Sequence, residues 1–149
     1  MATQIDPRGP RFGATITNVA SLIAFFEALD ASGQSAATTI FAVLAVLFAI
    51  GTIYGTSKHP FGWLYRTFVK PRLSAPKELE DSRPPQFAQG VGLFVSVAGL
   101  ILVGLNVPFG LAAAAAALFL ASALQAYFGY CLGCQMYLGL KRIGVIRSA

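Results

Sequence analysis

Charge is what this sequence has least of. Only 11% of its 149 residues are Asp, Glu, Lys or Arg, against roughly 25% in a soluble domain. With 56% hydrophobic residues and a mean hydropathy of +0.66, the deficit excludes a soluble protein and points to an integral membrane one. Acidic residues number six, and no ordered chain of them crosses an apolar segment. That excludes a proton pump built on a carboxylate relay. Histidine occurs once, at His59, and cysteine twice. A zinc site needs four ligands, so no metal centre is expected, and no cofactor is indicated. The stretch "MATQIDPRGPRFG" lacks a short apolar core followed by a small-residue cleavage site, so the first apolar run reads as a retained span.

What is present is length in apolar runs. A helix needs about 20 mostly apolar residues to cross the hydrocarbon core. Four segments qualify, at about 12–29, 36–54, 88–106 and 110–130. The loops "DASGQS" and "VPF" are short enough to make helical hairpins. The expected fold is all-α: one membrane domain over 1–149, with four transmembrane helices in two hairpins and a polar central loop at 58–86. All eleven basic residues lie on one side of these spans, before the first, between the second and third, or after the fourth. The positive-inside rule then places both termini and the central loop in the cytoplasm. The net charge of +5 reports topology and anionic lipid rather than nucleic acid. A multi-pass protein of the bacterial cytoplasmic (inner) membrane is expected.

The two halves resemble each other. Asp6, Arg8, Pro10 and Phe12 match Asp81, Arg83, Pro85 and Phe87, each 75 positions later. The match suggests a duplication, with the halves related by an axis along the membrane normal. Pro10 and Pro85 suit a first helical turn, and Asp6 and Asp81 are placed to cap it or to pair with a nearby Arg. Arg8, Arg11 and Arg83 beside such helix starts are candidates for binding an anion or a lipid headgroup. After the second span, Phe61, Leu64, Tyr65 and Phe68 fall at helical spacing with Arg66 and Lys70 facing away. This reads as an interfacial helix anchored by Trp63. "QMYLGLKRIGVIRS" reads as a shorter counterpart after the fourth span. Within the spans, Asn18 and Gln125 are placed for hydrogen bonds between helices, and Gly92, Ser96, Gly99 and Ala112 to Ala117 for close packing. A four-helix monomer this small is expected to leave little room for a central cavity.

The remaining feature is "FGYCLGCQMY". Two cysteines placed at random fall at this spacing in roughly 1% of such chains, so the pairing carries information. Four readings stay open for Cys131 and Cys134: a dithiol that cycles through a disulfide or carries a persulfide, half of a metal site completed by a second protomer or by His59, acylation, and inert packing. A permanent disulfide is disfavoured in a reducing cytosol. If the fourth span runs through Cys134, the negative helix end disfavours a thiolate there. If Gly129 and Gly133 break the helix, Cys134 opens a new one and its thiolate is favoured.

Taken together, "DPRGPRFGA", "HPFGWLYRTFVKPRL", "ELEDSRPPQFAQGVGL" and "FGYCLGC" resemble a family of small bacterial membrane proteins, common in actinobacteria and designated domain of unknown function 4395. The resemblance implies a shared role for Cys131 and Cys134. It also implies thiol or sulfur chemistry with thioredoxin-like or rhodanese-like proteins, because members are often encoded beside them. The leading expectation is thus a cytoplasm-facing thiol–disulfide or sulfur-relay module, with Cys134 attacking and Cys131 resolving. Two other expectations stand beside it. One is an accessory subunit of a larger membrane complex or homo-oligomer. The other is a small-solute or sulfur-anion transporter with Arg8, Arg11 and Arg83 at its cytoplasmic mouth. The sequence does not show that the chain is an enzyme.

Overall fold

Proline sets where the helices begin. The computed structural model describes residues 3–147. After a short strand β1 (Gln4–Ile5), helix α1 runs over Arg8–Leu29 and α2 over Gln34–Tyr54. A short α3 (Pro60–Leu64) passes into a π turn over Tyr65–Val69 and a 3-10 turn over Lys70–Arg72. Strand β2 (Glu80–Asp81), α4 (Arg83–Gly104), α5 (Gly110–Phe128) and α6 (Leu132–Arg142) complete the fold. Helices α1 and α4 begin about a turn before the apolar runs do. Pro10, Pro84 and Pro85 lie in first turns, where the missing amide donor is not needed.

The long helices α1, α2, α4 and α5 are each apolar and long enough to cross a membrane, and the chain is a multi-pass protein of a lipid bilayer. Its packing is that of a membrane bundle. Small residues lie inside, with Ser21, Ala24, Ala37, Ser96 and Ala115 fully buried, while Phe26, Val46, Phe94 and Leu120 face outward. Lipid tails are as apolar as leucine, so helices associate through close approach and hydrogen bonds rather than by hiding large side chains. At Gly99 an added Cβ would lie 2.9 Å from the Ala114 Cβ and 3.0 Å from the Phe41 ring. Across α1 and α5, Asn18 donates to the Phe119 carbonyl at 3.0 Å and accepts from the Tyr127 hydroxyl at 3.2 Å. The small faces on α4 and α5 are thus used inside the bundle.

The packing repeats between halves. Helix α1 lies mainly on α5, and α2 on α4, while α3 packs on α1 and α6 on α4. Exchanging the halves turns each of these contacts into another. The strands pair antiparallel, Gln4 opposite Asp81 and Ile5 opposite Glu80, which joins the two Asp-x-Arg segments. Phe12 meets Tyr65 with ring centroids 5.9 Å apart, and Phe87 meets Tyr137 at 5.7 Å. The internal repeat is therefore present in the tertiary structure.

One expectation fails here. A cavity of about 600 Å³, partly open to the outside, exists within one protomer. Arg66 and Lys70 border it and remain exposed. The cavity forms because α3, α6 and the β1–β2 ribbon roof the basic end of the bundle, while glycines and alanines line its walls.

Candidate functional site

The end of α5 creates the site. Gly129 takes a left-handed conformation (φ 68°) at the helix C-cap, which only glycine adopts at no steric cost. The chain turns, and Cys131 becomes the extended N-cap of α6. Its Sγ accepts the Cys134 N–H at 3.2 Å. The helix therefore does break after the fourth span, but the residue that caps the new helix is Cys131, not Cys134. Cys134 lies in its first turn. The two cysteines are joined by a disulfide, with Cα atoms 5.1 Å apart, where the reducing-cytosol argument disfavours a permanent one.

Between the cysteines, Gly133 holds α6 against α4. A Cβ there would lie 2.6 Å from the Ala88 Cβ and 2.7 Å from its Cα. This contact fixes Cys131 on the cavity wall. The cavity descends from the ribbon at Asp6 past Gln89 and Ala121 to Leu44 and Leu118. Leu44 lies ten residues inside α2 from Tyr54, a depth of about 15 Å at 1.5 Å per residue.

His59 faces the same space. It caps α3 as Cys131 caps α6, its Nδ1 accepting the Phe61 N–H at 3.2 Å. With Nδ1 accepting, the neutral ring carries its proton on Nε2. That atom is buried and has no hydrogen-bond partner, and His59 as a whole is 5% exposed. Burial pushes its pKa down. The Leu47 carbonyl opposes this in part without meeting hydrogen-bond geometry. Thr56 Oγ1 and Gln89 Oε1 are likewise buried and unpartnered, and both residues line the cavity. Sequence reasoning gave His59 only one role, that of completing a metal site with the cysteines. The signal that finds it is the spacing His59…Tyr65 against Cys131…Tyr137, each 72 positions apart. The repeat thus sets His59 and Cys131 at equivalent places.

The arginines are arranged differently. Arg8 grips Asp6 through Nε at 3.0 Å and Nη2 at 2.9 Å, while its backbone N–H also donates to that carboxylate. Arg83 repeats the arrangement on Asp81. Tyr65 donates its hydroxyl to Asp6 at 3.0 Å. Arg8 holds the Asp6 carboxyl below its ordinary range, and burial raises the Tyr65 phenol. Arg11 approaches the Ala126 carbonyl at 3.5 Å. Arg8 and Arg83 are therefore paired within the chain, while Arg11 lies over the C-terminal turn of α5, its guanidinium within 4 Å of where a Cβ on Gly129 would sit. Among the described residues, no three of His, Cys, Asp and Glu converge as a metal site would require.

A family profile described as domain of unknown function (DUF4395) matches residues 5–142. The chain belongs to this family. The match spans both hairpins, the two capping residues His59 and Cys131, and α6. No curated protein and no solved structure matches the chain.

Proposed function

We propose that this DUF4395 protein is a membrane thiol–disulfide module facing the cytoplasm of a bacterial inner membrane, exchanging electrons or sulfane sulfur with a soluble thioredoxin-like or rhodanese-like protein. The observation that carries this reading is the Cys131–Cys134 disulfide at the start of α6, with the Cys134 N–H donated to the Cys131 sulfur. A helix N-terminus and a donated N–H both stabilise a thiolate. Cys131 is then the better leaving group, and an incoming thiolate attacks Cys134. This reverses the roles expected from sequence. The cytoplasmic orientation rests on the one-sided basic residues.

The anion-transport reading gains a cavity, but two of its three arginines, Arg8 and Arg83, are each held by their own aspartate. The test is thiol trapping on native membranes. Free thiols are blocked at lysis, oxidised ones are reduced, and a heavy maleimide counts them. A mixed population that shifts with oxidant, or a band containing a soluble partner lost in the double Cys→Ser variant, supports the proposal. A pair that stays in one state under oxidant and reductant sinks it.

A further inference from the structure

A disulfide on the wall of an apolar cavity inside a membrane bundle has two faces. Both cysteines are partly buried at the basic end, and of the two it is Cys131 that lines the cavity. A molecule held in the cavity can therefore meet Cys131 while a soluble partner meets Cys134. The cavity's chemistry restricts what that is. Its lower wall is hydrocarbon, with Leu44, Val95 and Leu118 among its residues. Its upper part is lined by His59, Thr56 and Gln89, each of which has one buried side-chain atom without a hydrogen-bond partner: His59 Nε2, Thr56 Oγ1 and Gln89 Oε1.

A buried N–H without a partner carries a penalty that a ligand's acceptor relieves. The fit is therefore to a lipid-soluble molecule with a polar, acceptor-bearing head and an apolar remainder. About 600 Å³ lies within the usual range of small-molecule sites, about 300–1,000 Å³.

We infer that the cavity is a quinone site, in which a quinone carbonyl accepts from His59 Nε2 and the ring lies against Cys131. The inference rests on the thiol–disulfide reading above and supplies its electron acceptor. The chemistry balances. A soluble dithiol reduces the disulfide by attack at Cys134, leaving both cysteines reduced and its own pair oxidised. The Cys131 thiolate then adds to the quinone ring. Cys134 attacks the Cys131 sulfur, the sulfur–ring bond breaks, and the electron pair stays on the ring. Two electrons pass to the quinone, and two protons complete the hydroquinone, while the Cys131–Cys134 disulfide reforms. The repeat gives the two capping positions complementary tasks: one half presents a sulfur to the cavity, the other a hydrogen-bond donor.

The test uses the full chain in detergent, reduced, freed of reductant and kept anaerobic, with ubiquinone-1 as probe. Quinone absorbance and cysteine alkylation are read together. The expected result is one quinone reduced for each disulfide reformed. Two variants address the site. His59→Asn keeps a cap acceptor for α3 but removes Nε2, and Ala121→Phe fills the cavity. Each should slow oxidation by sub-saturating ubiquinone-1 by about tenfold or more, the loss expected when a buried polar contact or the space itself is removed. Oxidation by diamide, a small soluble oxidant, should be unchanged in both.

A redox-independent arm measures ubiquinone-1 binding to the double Cys→Ser chain, which should persist and weaken with His59→Asn. If diamide oxidises the pair but ubiquinone-1 does not, and the double-serine chain binds none above detergent background, the quinone site is overturned and the thiol reading survives. Variants that react with ubiquinone-1 as fast as the wild type overturn the site as well. A pair inert to both oxidants overturns both readings.

Discussion

Gly133→Ala isolates the contact that seats the disulfide. In the native packing a Cβ at this position would stand 2.6 Å from the Ala88 Cβ and 2.7 Å from its Cα. Carbon atoms in good contact lie at about 3.5–4.0 Å, so α6 must move off α4 by roughly 1 Å. Neither partner can give way by rotation, since one group is a methyl and the other is backbone. Overpacking of this kind typically costs about 1–3 kcal/mol. For a chain of this size that is about 2–4 °C in Tm for each kcal/mol, readable by thermal unfolding in detergent. The hydrogen bond from the Cys134 N–H to Cys131 lies inside the first turn of α6 and moves with the helix. The disulfide should therefore still form under diamide, while exchange from the cavity side slows. An unchanged Tm together with unchanged reaction with ubiquinone-1 would refute the argument that this glycine seats Cys131. Gly139→Ala is the control, because an added Cβ there meets nothing within 4 Å.

Asn18→Leu should weaken the α1–α5 contact by about 1–2 kcal/mol, at roughly 0.6 kcal/mol for each interhelical hydrogen bond in a membrane, as measured by unfolding in mixed micelles; no change would deny Asn18 a structural role. Asp6 gives a pH signature. Its carboxyl is held below the ordinary 3.8 by Arg8, so its stabilisation is present above that value and is lost as the pH falls through the folded pKa. Asp6→Asn should lower stability at neutral pH by about 1–3 kcal/mol and flatten the acid limb of the pH–Tm curve; a parallel curve would contradict the pairing. Topology is read with single cysteines in a Cys131→Ser, Cys134→Ser background. Ser32→Cys should react with an impermeant maleimide added to intact cells, and Ala75→Cys only after lysis; the opposite pattern would invert the orientation.

The spans, the hairpins and the one-sided basic charge were legible because each depends on a local count: apolar length, loop length and the position of Lys and Arg. The Asp6–Arg8 and Asp81–Arg83 pairs were legible as a repeated motif for the same reason. The break after Phe128 was foreseeable at Gly129, but which cysteine would cap α6 was not. An N-cap is fixed by the backbone conformation of one residue, and the sequence offers several near a glycine. The π turn at Tyr65–Val69 was not foreseeable, because it is set by the backbone hydrogen-bond pattern and not by apolar spacing.

The sequence by itself thus determined that this is a four-span membrane protein with a paired thiol at its basic end. Only the tertiary structure decided that α1 lies on α5 and α2 on α4, that a cavity opens between them, and that His59 and Cys131 face it together. Apolar periodicity is a property of each helix alone. Which helix meets which depends on the fit of small residues such as Gly99 against Phe41 and Ala114, and no single segment encodes both sides of that fit.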